Sequence, residues 1–233
     1  MGLYLKKYLN DAIDIGDSIL MDKNILDTIK EVYADYPAPH CWEVQIINRI
    51  KENKDFYFDF SKNFIDVGAG NGEYCSLLDF ENNYVFEPSK EMMWICHANL
   101  ANQKKVKKSY TYQTALSDTN DEIEIFTNGT LEHAVVTAKT LDSFNIPNVG
   151  FIKIDVEGFE EKVIRGGLMT IISNNYPPIL FECWPVGYWG MIQEKHDNLF
   201  NLLKTLGYEI FEYWGDFETH LAVHKTQLEK NNQ

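Results

Sequence analysis

No apolar run in this chain approaches the ~18 residues that a membrane-crossing helix needs, so the sequence predicts no membrane span. Cysteine is sparse: Cys41, Cys75, Cys96 and Cys183 lie far apart. With no Cys-x-x-Cys and no histidine at zinc-finger spacing, they read as buried or incidental thiols in a reducing compartment. Basic residues are outnumbered, 21 Lys and Arg against 35 Asp and Glu, for a net charge of −14. Polyanions are held by clustered cations that release condensed counterions, so nucleic acid is disfavoured as a partner. The one dense basic patch, Lys104-Lys105 with Lys107-Lys108, reads as a solvated helix-to-strand loop. A secretory apolar segment is missing too, and Lys6 stands where myristoylation after Met1-Gly2 requires Ser or Thr. The expectation is a soluble, cytoplasmic protein. Hydrophobic residues make up 45% of the 233 positions, enough for one folded α/β domain with a small extension.

Residues 1–60 read as an N-terminal helical extension. Ile25, Leu26, Ile29, Val32 and Tyr33 recur at helical spacing behind a cap at Asp22 or Asn24, and Pro37 and Pro39 end that helix. A second short helix carries Trp42, Ile46, Ile47 and Ile50 on one side. A lid over a cofactor, a cap on substrate and a homodimer contact are all open to this segment. From Asn63 onward strands and helices alternate, as a doubly wound parallel sheet requires. The expected strands are 63–67, 84–86, 110–115, 150–155, 178–183, 208–214 and 219–224. Helices are expected near 71–79, 89–102, 159–172 and 193–206, and 121–126 with 134–140 should form an extra hairpin. The last two strands, joined across Gly215-Asp216, should be antiparallel. The main domain is placed at 61–226, with a polar, fraying tail at 227–233.

The most informative stretch is Phe64-Ile65-Asp66-Val67-Gly68-Ala69-Gly70-Asn71-Gly72, followed 21 positions after Asp66 by Glu87. A buried strand turning tightly into a helix, with an acid at the end of the next strand, is where this kind of sheet holds a nucleotide and its ribose. A dinucleotide loop wants its third glycine where Glu73 stands, and a carboxylate there would repel a pyrophosphate. An NAD-dependent oxidoreductase is therefore a weak alternative. The Asp-x-Gly-x-Gly-x-Gly pattern instead looks like the loop of class I methyltransferases that use S-adenosyl-L-methionine (SAM). SAM has no phosphate and carries a sulfonium cation, so acids suit it. The bland reading of the same residues is a strand-turn-helix corner with glycines for packing only.

The second unusual segment is Phe151-Ile152-Lys153-Ile154-Asp155-Val156-Glu157-Gly158-Phe159-Glu160, with two carboxylates just past a central strand on the ligand side of the sheet. Here the chain resembles the FkbM-type SAM-dependent methyltransferases. The matching segments, in family order, include Phe64-Ile-Asp-Val-Gly-Ala, Val85-Phe-Glu-Pro-Ser, Ala115-Leu-Ser-Asp, Thr140-Leu-Asp-Ser-Phe, Ile152-Lys-Ile-Asp-Val-Glu-Gly-Phe-Glu, Val163-Ile-Arg-Gly-Gly and Pro178-Ile-Leu-Phe-Glu. They cover about residues 63–183. Gly70 departs from the family's usual Asn, a swap shared with many other methyltransferases. The resemblance implies a Rossmann-like class I fold: a seven-stranded, mostly parallel sheet with helices on both faces and an antiparallel last strand. It also implies methylation of a hydroxyl, in many members on a sugar or a polyketide-type product. Carried over by position, Asp66, Gly68, Ala69, Gly70 and Gly72 would line the methionine side, Glu87 the ribose, Pro88 and Ser89 the adenosine, and Ser117 and Asp118 the adenine.

In-line methyl transfer needs a hydroxyl stripped of its proton by a base or a metal. Asp155 is the first candidate base and also borders the cofactor; Glu182 is second and Glu157 third. Asp155 and Glu182, with Glu157, could instead hold a divalent ion such as Mg²⁺. Acids at a helix start are also merely favourable there, which is the plain account of Glu160 and a competing one for Glu157. His196 on an apolar helix face reads as a core or boundary residue, and His40, His133 and His220 have no assigned place. Trp184, Tyr188 and Trp189 follow Glu182 in a loop whose aromatic faces suit a sugar ring or simple packing. The reading is a SAM-dependent O-methyltransferase acting on a sugar in a glycan or glycosylated metabolite. The alternatives are an RNA or protein methyltransferase and a non-catalytic SAM-binding partner module.

Overall fold

The computed structural model describes residues 41–53, 56–101, 106, 108–126, 133–188, 190–213 and 218–231. The helix expected before Pro37, the basic patch at 104–105 and 107, His40, Trp189 and the Gly215-Asp216 turn lie outside them.

The sheet is built outward from β1 (Asn63–Val67) and β7 (Val149–Ile154), whose residues are all buried. Near-continuous apolar runs of this kind belong to strands covered on both faces. β1 pairs in parallel with β7 and with β2 (Asn82–Phe86), and β2 with β3 (Lys108–Tyr112). On the other side β7 pairs in parallel with β8 (Ile179–Glu182). Then β10 (Thr219–His224) inserts antiparallel between β8 and β9 (Tyr208–Glu212), giving the order β3-β2-β1-β7-β8-β10-β9. The expected hairpin is present: β5 (Glu122–Phe126) and β6 (His133–Lys139) are antiparallel, and β6 takes on the two-residue β4 (Ala115–Leu116) in a separate small sheet.

Alternation along the strands sorts the core into two halves. Phe64, Val85, Phe151 and Leu180 face one side, where Phe60 and Phe80 join a stacked aromatic cluster and Phe58 meets Phe151 edge-on. Helices α1 (Cys41–Glu52), α2 (Glu73–Leu77) and α3 (Lys90–Ala101) cover it through Ile46, Ile47, Ile50, Tyr74, Cys75, Met93 and Cys96. Thus α1, which falls within the N-terminal extension, is part of this core. Ile65, Val67, Ile152, Ile154 and Phe181 face the other side, under α4 (Glu160–Gly166), α5 (Leu168–Ser173) and α6 (Gln193–Thr205). The polar tail is more ordered than its composition suggests: α7 (Lys225–Asn231) is helical, and Leu228 packs on the first core half.

The helix expected over 159–172 is broken into α4 and α5 at Gly167. The cap that starts α5 comes from upstream, from a 3₁₀ turn at Leu141–Phe144. One carboxylate oxygen of Asp142 accepts from Met169 N at 3.0 Å, and the other from Thr170 N at 2.7 Å and Thr170 Oγ1 at 2.8 Å. Asp142 thereby caps α5 from outside its own segment, satisfying amides that the helix leaves unpaired. Asp142→Ala should therefore destabilise the protein by about 1–2 kcal/mol in urea unfolding.

Candidate cofactor and catalytic site

The glycine loop leaves β1 and is pinned at once: Gly68 N and Ala69 N both donate to Phe86 O, at 2.9 and 3.1 Å. Gly68 has φ +70°, and a Cβ there would lie 1.8 Å from the carbonyl oxygen of Asp155. Gly72, at φ +78°, begins α2, and a Cβ on it would meet Cys96 Sγ at 2.6 Å. Gly70 differs. Its φ is +54°, but a Cβ would touch only the Met92 methyl at 3.7 Å, so the backbone is bare here without being crowded. That is the cradle a ligand approaching the main chain requires.

Glu87, 7% exposed at the end of β2, closes this cradle. Its Oε2 accepts from Gly70 N at 2.9 Å and its Oε1 from Ser89 N at 2.8 Å. A carboxylate has about four acceptor sites, so roughly two remain for a pair of hydroxyl donors. Burial pushes its pKa up to about 7, against the two amides that lower it. Ser89 Oγ in turn accepts from Met92 N at 3.3 Å and caps α3, with Pro88 between. A vicinal diol fits the free capacity of Glu87, and a cation fits the acids described next; the residues present therefore suit SAM.

Asp66 is placed behind the loop instead of at its lip. It is 0% exposed and lies beside Cys75 of α2. Lys153 Nζ stands 3.7 Å from Oδ1, and burial raises the Asp66 pKa against Lys153 and Cys75, which lower it. Ser117 is buried; its Oγ donates to Oδ1 of the exposed Asp118 at 3.1 Å, and its carbonyl lies against Gly166 of α4.

The acid-rich segment after β7 has a defined internal structure. Asp155 N donates to Val67 O at 3.0 Å, tying the ends of β7 and β1 together, and the Asp155 side chain is 33% exposed. Glu160 Oε1 accepts from Val156 N and Gly158 N, both at 3.1 Å, so Glu160 braces the turn from within α4. Burial carries its pKa to about 7. Glu157 sits exposed at the tip with φ +57°, a conformation few residues other than glycine adopt. Crowding of its carboxyl and repulsion by Asp155 raise its pKa. Glu182, ending β8, is pushed up to about 10 by burial and then by Asp155, Glu157 and Glu160, with Lys153 opposing. The three candidate bases are thus electrostatic neighbours.

Two residues absent from the sequence-based set belong here. Lys153 is buried in β7, and Glu43, on α1, adds to the field at both Lys153 and Tyr74. Burial and then Glu73 push Glu43 up to about 9. A lysine inside an otherwise apolar strand was a readable signal for the first; nothing in the sequence marks the second.

Among the described residues no group of three or more His, Cys, Asp or Glu side chains is arranged to hold a metal ion, so the Mg²⁺ expectation on Asp155 and Glu182 lacks support. Nor is any described helix long and apolar enough to cross a membrane. Trp184 packs partly buried on the core, whereas Tyr188 is 61% exposed. His196 stacks on Phe200 at 4.3 Å and His220 on Phe181 at 5.4 Å, both as parts of a ring cluster beside α6.

This strand order, with its one reversed strand and a glycine loop answered by an acid closing β2, is the Rossmann-like class I methyltransferase fold. The chain belongs to the FkbM methyltransferase family: residues 66–210 match the Methyltransferase FkbM domain. Among solved structures it is similar to methyltransferase FkbM from Methylobacillus flagellatus KT, at 15% identity and a TM-score of 0.57 over 94% of this chain. The match spans 58% of that protein's length. A putative caffeoyl-CoA O-methyltransferase from Staphylococcus aureus aligns with 96% of this chain and 100% of its own, at 14% identity and a TM-score of 0.50. A putative rRNA methylase from Clostridium thermocellum aligns with 75% and 91%, at 11% and 0.51. These likenesses speak to fold. No curated protein matches the sequence.

Proposed function

We propose that this chain is a SAM-dependent O-methyltransferase whose acceptor is a hydroxyl of a sugar, in a glycan or glycosylated metabolite. The observation that carries the reading is the gathering of Asp155, Glu157 and Glu182 at the ends of β7 and β8, beside a cradle suited to SAM. When bound, SAM supplies an electrophilic methyl group; the protein must orient an oxygen and accept its proton. Asp155, the first expectation from sequence, is committed to an ion pair with Lys153 at 3.2 Å, which suits it to orient the acceptor. Glu182, whose carboxyl pKa is pushed up to about 10, suits the proton acceptor. Glu87 holds the ribose and Gly70 gives it access. Tyr188, exposed on the loop after β8, offers an aromatic face to a sugar ring. A net charge of −14 and this acidic rim oppose an RNA acceptor.

Calorimetric titration with S-adenosylhomocysteine, beside NAD, tests the cofactor half. The expected result is binding of S-adenosylhomocysteine alone, weakened at least about tenfold by Glu87→Ala, which removes two charge-assisted contacts. Labelled SAM offered with sugar, RNA and protein acceptors tests the other half. Label passing to RNA or protein but not to sugar would overturn the acceptor class.

A further inference from the structure

We propose that Lys153 is a positioning residue: its ammonium fastens the glycine loop at Gly68 and the carboxylate of Asp155 into one fixed unit. The inference rests on the cofactor reading above and adds a residue to that site. Nζ donates to Gly68 O at 2.7 Å, lies 3.2 Å from Asp155 Oδ2 and 3.7 Å from Asp66 Oδ1, and sits 5.3 Å from the centre of the Tyr74 ring. One side chain thus reaches the strand before the loop, the loop itself and the residue that follows β7.

A lysine kept only for packing would need just one compensating charge, because an unpaired buried ammonium is strongly disfavoured. Lys153 has two: Asp66, wholly buried, stands 3.7 Å away, and Asp155 stands nearer, at 3.2 Å. Asp155 is a third exposed, so the nearer partner of the ammonium is the one on the open side of the site. The bond to Gly68 points the same way. Gly68 is the residue that must be glycine for the loop to pass over Asp155, and its carbonyl is the atom that Nζ takes. The loop that carries the cofactor and the carboxylate that meets the acceptor are therefore registered through a single ammonium.

The test compares Lys153→Met with the charge-balanced pair Lys153→Met/Asp66→Asn, which leaves neither of these two buried charges unpaired. S-adenosylhomocysteine affinity is read by calorimetry and the fold by thermal melting. A double-mutant cycle of Lys153→Met with Asp155→Asn is run on the same affinity. The expected result is a charge-balanced variant that melts close to the wild type yet binds at least about tenfold more weakly, and losses in the cycle that fail to multiply. Wild-type affinity in the charge-balanced variant overturns the proposal, as do losses that multiply independently. Collapse of that variant overturns it too, because the lysine would then serve the fold. A wild-type chain that binds no S-adenosylhomocysteine overturns the cofactor reading and this inference with it.

Discussion

Replacing Glu182 with Gln should lower methyl transfer by about 10²–10⁴-fold, the usual worth of a positioned general base, while making the protein more stable above neutral pH. The two effects share one cause. Burial and the carboxylates of Asp155, Glu157 and Glu160 move the Glu182 pKa from 4.5 to about 10 in the fold. The folded value exceeds the unfolded one, so the fold prefers the neutral acid. Its stabilising contribution is complete below the unfolded pKa and is lost as pH rises toward the folded pKa. Glutamine keeps the shape and never ionises. The variant's advantage should therefore grow with pH, reaching roughly 1–3 kcal/mol near pH 9 in urea unfolding. In the wild type, kcat/KM should climb over the same window as the base loses its proton. A Gln variant as active as the wild type would remove Glu182 from the chemistry. One no more stable at high pH would show that the carboxyl is not held neutral.

Gly68→Ala should cost at least about 3 kcal/mol of stability, or prevent folding, because backbone must move to admit the new atom. Its Cβ would fall 1.8 Å from Asp155 O at a φ of +70°. Gly70→Ala separates fold from function. Only the Met92 methyl, at 3.7 Å, would be touched, and the left-handed conformation adds about 1–2 kcal/mol. In the proposed SAM site the added methyl group would stand on the ligand's side of the loop, so S-adenosylhomocysteine binding should fall at least about tenfold. Unfolding curves and calorimetry on the two variants give opposite orderings if Gly68 serves packing and Gly70 serves the ligand.

The sheet was readable because its central strands are covered on both faces and so carry apolar runs broken by a single charge each, Asp66 in Phe64–Val67 and Lys153 in Phe151–Ile154. The glycine loop and Glu87 were readable because their spacing is imposed by one strand-helix-strand unit. What stayed hidden depends on partners distant in sequence. The break falls at the Gly166-Gly167 pair, a local signal that was there to read, but the cap that starts the next helix comes from Asp142, 25 positions before Gly167. The expected strand at 110–115 divides because Thr114 Oγ1 donates to Thr137 O at 2.9 Å, drawing the chain toward β6. Glu43 lies in a short amphipathic helix like many others, and only the packing of Ile46, Ile47 and Ile50 delivers it to the site. Asp66, the most conspicuous acid of the loop, is fully buried, and strand alternation alone does not reveal whether such an acid faces a ligand or a lysine.

Because β10 runs against its neighbours, it is its beginning, not its end, that arrives beside Glu182. Thr219 pairs with Glu182, and Glu218 O accepts from Cys183 N at 2.8 Å. Residues 218–224 lie beyond the stretch that matches the family, which stops at 210. Glu182 thus lies within the stretch matched to the family, while the strand end that flanks it is drawn from beyond that stretch. If Glu182 serves the acceptor as proposed, substitutions at Thr219 should alter acceptor use while leaving S-adenosylhomocysteine affinity unchanged.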